Sequence, residues 1–198
     1  MPRTDYMILR RTPYMESSLI VSGISPDFGR LDFLLRGARK TGRKNFPFAC
    51  LFRELSIEFR LPRGESTLSS LQSHEPLRSH DDLALAPETY LAACDIASFL
   101  LRNTRFQLPV PRTFRALSNM FARAGTERNA FPWLPYAQLV FLHENGFVSA
   151  PPEKEKILCA VFDFAEGRTD APPPFSDRYL TLFTAWIRAL SENRTGSF

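Results

Sequence analysis

The chain has 198 residues, 44% of them apolar, with a formal net charge of +4 at pH 7, enough for one generous globular domain or two small ones. No apolar run approaches the roughly 18 residues that cross a bilayer, and the N-terminus has neither a long apolar stretch nor a small-residue cleavage site, so no membrane partner, no signal peptide and a cytoplasmic address are expected. The charge is uneven: residues 1–80 hold 13 Lys and Arg against 8 Asp and Glu, whereas residues 81–198 hold 12 against 13, which places a polyanion-facing surface in the N-terminal part.

The first 75 or so residues alternate with period two between turn signals, as strands do. Tyr6 to Arg11 and Ser17 to Ile24 open the series, separated by a turn at Thr12-Pro13. After Ser25-Pro26-Asp27-Phe28-Gly29, the apolar residues Leu31, Phe33 and Leu35 share one face of a third strand. Leu55, Ile57, Phe59 and Leu61 do the same in a fourth, and Ser66 to Ser73 forms a weaker fifth after Pro62-Arg63-Gly64. Five short antiparallel strands must close on themselves to hide their edges, and a partly open OB-type barrel is the commonest solution at this length, with an SH3-like barrel as the alternative.

Between the third and fourth strands lies Arg36-Gly37-Ala38-Arg39-Lys40-Thr41-Gly42-Arg43-Lys44, with five cations and no acid in nine residues. A loop kept basic for solubility has this composition. The two glycines, which let a backbone approach a ligand, and the strand that anchors the loop favour instead a grip on phosphates.

From about residue 87 the periodicity becomes helical. Tyr90, Cys94, Ala97 and Leu101 share a face, as do Phe114, Leu117, Phe121 and Ala124, then Ile157, Val161 and Phe164, then Leu180, Phe183, Ile187 and Leu190. Leu134 to Phe147 is apolar nearly all round and predicts the centre of a bundle. Pro87, Pro109, Pro111, Pro132 and Pro135 mark helix starts, Gly125 and Gly146 fit C-terminal caps, and Ser176 fits the N-cap of the last helix. The fold class is therefore α+β: residues 1–80 an OB-fold nucleic-acid-binding domain, residues 81–198 a helical domain. Cys50, Cys94 and Cys159 have neither disulfide nor zinc spacing and read as small core residues.

Arg11-Thr12-Pro13-Tyr14-Met15-Glu16-Ser17-Ser18-Leu19-Ile20-Val21, Phe28-Gly29-Arg30-Leu31 and Arg36-Gly37-Ala38-Arg39-Lys40 follow one another in the order and spacing of the N-terminal domain of the bacterial recombination mediator RecO. The chain resembles a shortened member of that family, with Asn45-Phe46-Pro47-Phe48 standing where relatives have "Q-P-F". The resemblance implies an OB domain followed by a helical domain, a nucleoid-associated place in the cytoplasm, and binding of single- and double-stranded DNA. It further implies annealing of complementary strands and cooperation with RecR in loading RecA. Relatives also bind the acidic tail of single-strand-binding protein through arginines at the start of the central helix. Trp133-Leu134-Pro135-Tyr136 stands there instead, with Arg112, Arg115 and Arg123 as weak substitutes. Gly146 to Pro152 replaces the four-cysteine module of many relatives, so no zinc and no other cofactor are expected, nor are contacts from a C-terminal extension.

The resemblance and the charge pattern together name the DNA-binding residues. Arg36, Arg39, Lys40, Arg43 and Lys44 meet phosphates, and Arg10, Arg11 and Arg30 extend the track. Tyr6, Tyr14 and Phe28 are candidate platforms for bases, with packing in core or turn the favoured role for each. Glu16 is expected to accept turn amides or pair with Arg30 or Arg11. His74, His80 and His143 are scattered, no nucleotide-binding or hydrolase motif is present, and Asp81-Asp82 opens a helix, so an enzyme is not expected and a metal-dependent nuclease trails. The alternative is an OB-fold adaptor that binds an acidic partner protein.

Overall fold

The computed structural model describes residues 1–39, 48–62, 67–126, 131–148 and 155–192. The chain divides into two compact units, Met1–Asp81 with Asn103–Val110 and Asp82–Arg102 with Pro111–Phe198.

In the first unit, β1 (Arg3–Tyr14), β2 (Ser18–Ser25), β3 (Gly29–Leu35), β4 (Arg53–Arg60) and β5 (Ser70–Ser79) form an antiparallel sheet in the order β3-β2-β1-β4-β5. The two ends meet through a parallel bridge between Phe33 and Ser69, where the Ser69 amide donates to the Asp32 carbonyl at 2.8 Å. That closure turns the sheet into an OB barrel, and it removes the edges that an open sheet would leave unpaired. Alternation in β3 puts Leu31, Phe33 and Leu35 inside with Asp32 and Leu34 half-buried between them. Phe33 meets Tyr6 at 5.2 Å and Phe59 at 5.8 Å, edge to face, and the Tyr6 hydroxyl donates to the Leu31 carbonyl at 3.0 Å. Each such side chain contributes about 1.5–3 kcal/mol by leaving water.

Two strand expectations shift. Thr12-Pro13 is not a turn: β1 continues to Tyr14 and the turn falls at Met15 to Ser17. Proline is tolerated there because β4 pairs only with Arg3 to Met7, so Pro13 has a neighbour on one side alone. The fifth strand starts at Ser70 rather than Ser66 and is exposed along nearly its whole length, so its existence depends on pairing with β4.

Asn103–Val110 belongs to the barrel unit although it is distant in sequence. The Arg30 amide donates to the Arg105 carbonyl at 3.1 Å, and the Gln107 and Val110 amides donate to the Phe28 and Pro26 carbonyls, each at 2.9 Å. Gly29 makes this possible. Its φ is +64°, and a Cβ there would lie 2.3 Å from the carbonyl oxygens of both Arg105 and Leu108.

The second unit contains α1 (Pro87–Asn103), α2 (Pro111–Thr126), α3 (Tyr136–Glu144), α4 (Glu155–Ala165) and α5 (Asp177–Glu192). Tyr136 through Leu142 are all buried, so α3 is the centre of the bundle, as its uniform apolarity predicts. Ser176 Oγ accepts the Tyr179 amide at 3.3 Å and caps α5, and Gly146 follows α3 with a φ of +73°. Gly125, by contrast, lies inside α2 rather than at its cap. The thiols are less buried than their apolar neighbours predict: Cys50 and Cys94 are half-buried and Cys159 is exposed. On α4 the inward stripe runs through Leu158, Val161, Phe162 and Ala165, which turns Cys159 outward.

Candidate nucleic-acid interface

Residues opposite one another in an antiparallel pair point to the same side of the sheet. Arg10 stands opposite Ser22, which stands opposite Asp32; Thr12 stands opposite Ile20, which stands opposite Leu34; Tyr14 stands opposite Ser18. Leu19 and Val21 point into the barrel, so Arg10, Thr12, Tyr14, Ile20 and Leu34 share its outer face. A β-bulge shifts the register between Ile8 and Arg10, and from Arg10 to Glu16 every side chain is exposed, Arg11 included.

The turn after β3 adds Arg36 and Arg39, both exposed. Gly37 supplies a φ of +73° there, with nothing within 4 Å of where its Cβ would be, so conformation rather than space requires glycine. Arg39 ties this turn to the one joining β1 and β2: its amide donates to the Ser17 carbonyl at 3.0 Å and its Nη1 to the Met15 carbonyl at 3.2 Å. Arg36 and Arg39 thus border the connected ends of β1, β2 and β3, while Arg10 lies four residues back along β1 on the outer face and Arg11 follows it opposite Val21. Lys40, Arg43 and Lys44 lie outside the described residues.

Arg30 is on the same outer face but differs in state. Its Nε donates to Asp32 Oδ2 at 3.0 Å and its Nη2 to Asp32 Oδ1 at 3.3 Å, a fork that neutralises it locally. Sequence patterning had no means of pairing these two, because the alternation that exposes both says nothing about which charges meet. The aromatic candidates separate cleanly. Tyr6 is buried in the barrel, its hydroxyl held in the neutral form by burial, and Phe28 packs edge to face on Phe59 at 5.2 Å. Tyr14 is exposed, and so is Met15, which sequence reasoning passed over and whose φ is +50°. Glu16 is exposed in the same turn.

In the second unit the arginines weighed for an acidic tail already hold acids. Arg112 donates from Nε and Nη2 to Glu166 Oε1 at 3.0 and 2.7 Å, Arg115 lies 3.7 Å from Glu166, and Arg123 donates to Asp170 at 2.7 Å. The Glu166 side chain is fully buried and also receives Arg168 at 2.9 Å. Glu144 accepts the Arg112 and Thr113 amides at 2.8 and 2.9 Å, capping α2 from outside its own sequence. Beside them His143 Nδ1 is 3.1 Å from Arg112 Nη1.

Burial, reinforced by the Arg112 charge, lowers the His143 pKa below the ordinary imidazole value of 6.5, against the opposite pull of Glu166 and Glu144. A depressed imidazole binds fewer protons folded than unfolded, so its contribution to stability is complete above the unfolded pKa and falls as pH drops through the folded one. Between about pH 7.5 and pH 5.5 the urea midpoint should fall further for the wild type than for His143→Gln. Parallel pH profiles for the two proteins would remove His143 from the account.

No helix of the described residues is long and apolar enough to cross a membrane, and among them no group of three or more His, Cys, Asp or Glu could hold a metal ion.

Residues 1–80 match the family described as recombination protein O N terminal. Over 147 residues the chain is 29% identical to the DNA repair protein RecO of Photobacterium profundum, a stretch covering 71% of this chain and 57% of that protein. It is 27% identical over 125 residues to the DNA repair protein RecO of Mesoplasma florum, covering 63% and 47%, and 26% identical over 141 residues to that of Vibrio parahaemolyticus, covering 71% and 56%. The chain spans about half the length of the curated relatives it matches.

Proposed function

From the match of residues 1–80 to the recombination protein O N-terminal family, we propose that the chain is a non-catalytic DNA-binding mediator of recombination and repair. It binds and anneals single-stranded DNA, also contacts duplex, and helps load the recombinase together with RecR. The observation that carries this reading is the exposure of Arg10 and Arg11 on β1 and of Arg36 and Arg39 in the turn after β3 of an OB barrel, continued in sequence by Lys40, Arg43 and Lys44.

Cations of this kind neutralise phosphates without reading bases. Annealing requires two polyanions to approach, and guanidinium and ammonium groups on the protein lower their repulsion. Arg30, already forked onto Asp32, contributes less to this track than its neighbours. An acidic tail that sought Arg112 would have to displace the buried Glu166 carboxylate, which argues against a tail site for single-strand-binding protein at that residue.

The test is fluorescence anisotropy of a labelled single strand over a salt series. If Arg36, Arg39, Lys40, Arg43 and Lys44 each meet one phosphate, log K falls with log salt at a slope of about −3.5. Absence of binding at physiological salt, with co-purification of one acidic protein, would instead establish the adaptor.

A further inference from the structure

We propose that the turn between β1 and β2 seats an unpaired nucleobase, with Tyr14 and Met15 against its face and Glu16 accepting hydrogen bonds from its amino groups. The inference rests on the DNA-binding reading above and gives that site its preference for single strands.

Met15 is the starting point. It is 75% exposed at a turn tip and holds a φ of +50°, a left-handed conformation that glycine or asparagine adopts with less strain. A flexible apolar side chain held out in water on a strained backbone gains nothing from the fold itself, since it packs on no core. The turn is fixed from outside. Arg39 donates its amide to the Ser17 carbonyl at 3.0 Å and its guanidinium to the Met15 carbonyl at 3.2 Å, so the thioether is presented from a braced base.

Next to it Tyr14 is 39% exposed and shares the outer face with Thr12, Ile20 and Leu34, an apolar patch bordered by Arg10 and Arg36. Four chemistries therefore meet within two bonded turns: guanidinium, aromatic ring, polarisable sulfur and one carboxylate. Glu16 is the only acid of residues 14–17 and 36–39.

A nucleotide uses all four. Its phosphate suits the arginines, its base offers a π-face to Tyr14 and Met15, and the amino groups of cytosine, adenine and guanine donate to a carboxylate. In a duplex the base faces are stacked and the pairing edges are occupied, so only an unpaired base can enter. Contacts of this kind add affinity without adding phosphates.

The experiment compares the full chain with Met15→Gly, which keeps the left-handed backbone without strain, and with Tyr14→Leu, on a single strand and on a duplex, each over a salt series. Single-strand affinity should fall about tenfold in either variant, with the salt slope and duplex affinity unchanged. A strand carrying 2-aminopurine should change fluorescence on binding wild type and lose that change with Met15→Gly. Glu16→Ala should erase a preference for oligo-dC over oligo-dT, since thymine has no amino group. Unaltered single-strand affinity in both turn variants, or an equal loss on duplex, overturns the inference while DNA binding by the wild type stands. A wild-type chain that binds neither form overturns the underlying reading, and the base site with it.

Discussion

Reversing Arg36, Lys40, Arg43 and Lys44 to glutamate should abolish strand annealing while the circular dichroism spectrum and melting temperature stay near wild type. If each of these four cations meets one phosphate, their loss reduces the salt slope by about 2.8, which at 0.15 M salt corresponds to a loss of about two orders of magnitude in affinity before the new repulsions are added. Arg36 is exposed and makes no ion pair among the described residues, so its reversal leaves no buried acid without a partner. Arg39 is left in place deliberately, because its guanidinium and amide hold the neighbouring turn and its loss would mix two effects. The matched control reverses Arg102, Lys156, Arg178 and Arg188, four exposed cations of the helical unit. If annealing fails equally in that protein, overall charge rather than the loop is responsible. Undiminished annealing by the loop variant would sink the phosphate-grip proposal.

The basic stretch from Arg36 to Lys44 stands out in the sequence because cations have no part in a core: five in nine residues are conspicuous whatever fold carries them. The third and fourth strands were legible for the complementary reason, since Leu31, Phe33 and Leu35, and Leu55, Ile57 and Phe59, recur at every second position, although in β4 the neighbouring Glu54 and Ser56 are buried as well. β5 lacks that signal. Nearly all of it is exposed, and pairing with β4 rather than burial defines its limits. Nothing local marks Asn103–Val110 as part of the barrel, because its amides and carbonyls are satisfied by Pro26, Phe28 and Arg30, far away in sequence. The same limit applies at the site. Composition exposes Arg30 and Arg39 equally, but one is forked onto Asp32 and the other braces a turn, and only tertiary placement separates them. Met15 had no signal at all, since a methionine in a turn is conspicuous only once its φ is known.

Gly23→Val should have the largest effect on the barrel, and with it on DNA binding. Gly23 lies between Ile8 and Leu31 in the ladder, beside the bulge in β1. A Cβ there would be 2.0 Å from the Met7 carbonyl oxygen, 2.9 Å from the Met7 carbonyl carbon and 2.7 Å from Tyr6 Cζ. The nearest of these are backbone atoms of the adjacent strand, so no rotamer change relieves the contact and β1 must move away from β2. That movement breaks ladder bonds and withdraws the Tyr6 hydroxyl from the Leu31 carbonyl, which it meets at 3.0 Å. Overpacking that forces backbone apart costs about 3 kcal/mol or more, a large part of the 5–15 kcal/mol that holds a domain folded. Gly37→Ala is the informative contrast. Nothing lies within 4 Å of its Cβ, so only the left-handed φ of +73° is penalised, at about 1 kcal/mol. Urea titration should therefore show a collapsed or strongly lowered midpoint for Gly23→Val and a small shift for Gly37→Ala. Near-native stability of Gly23→Val would mean that β1 and β2 do not approach as closely as the barrel requires.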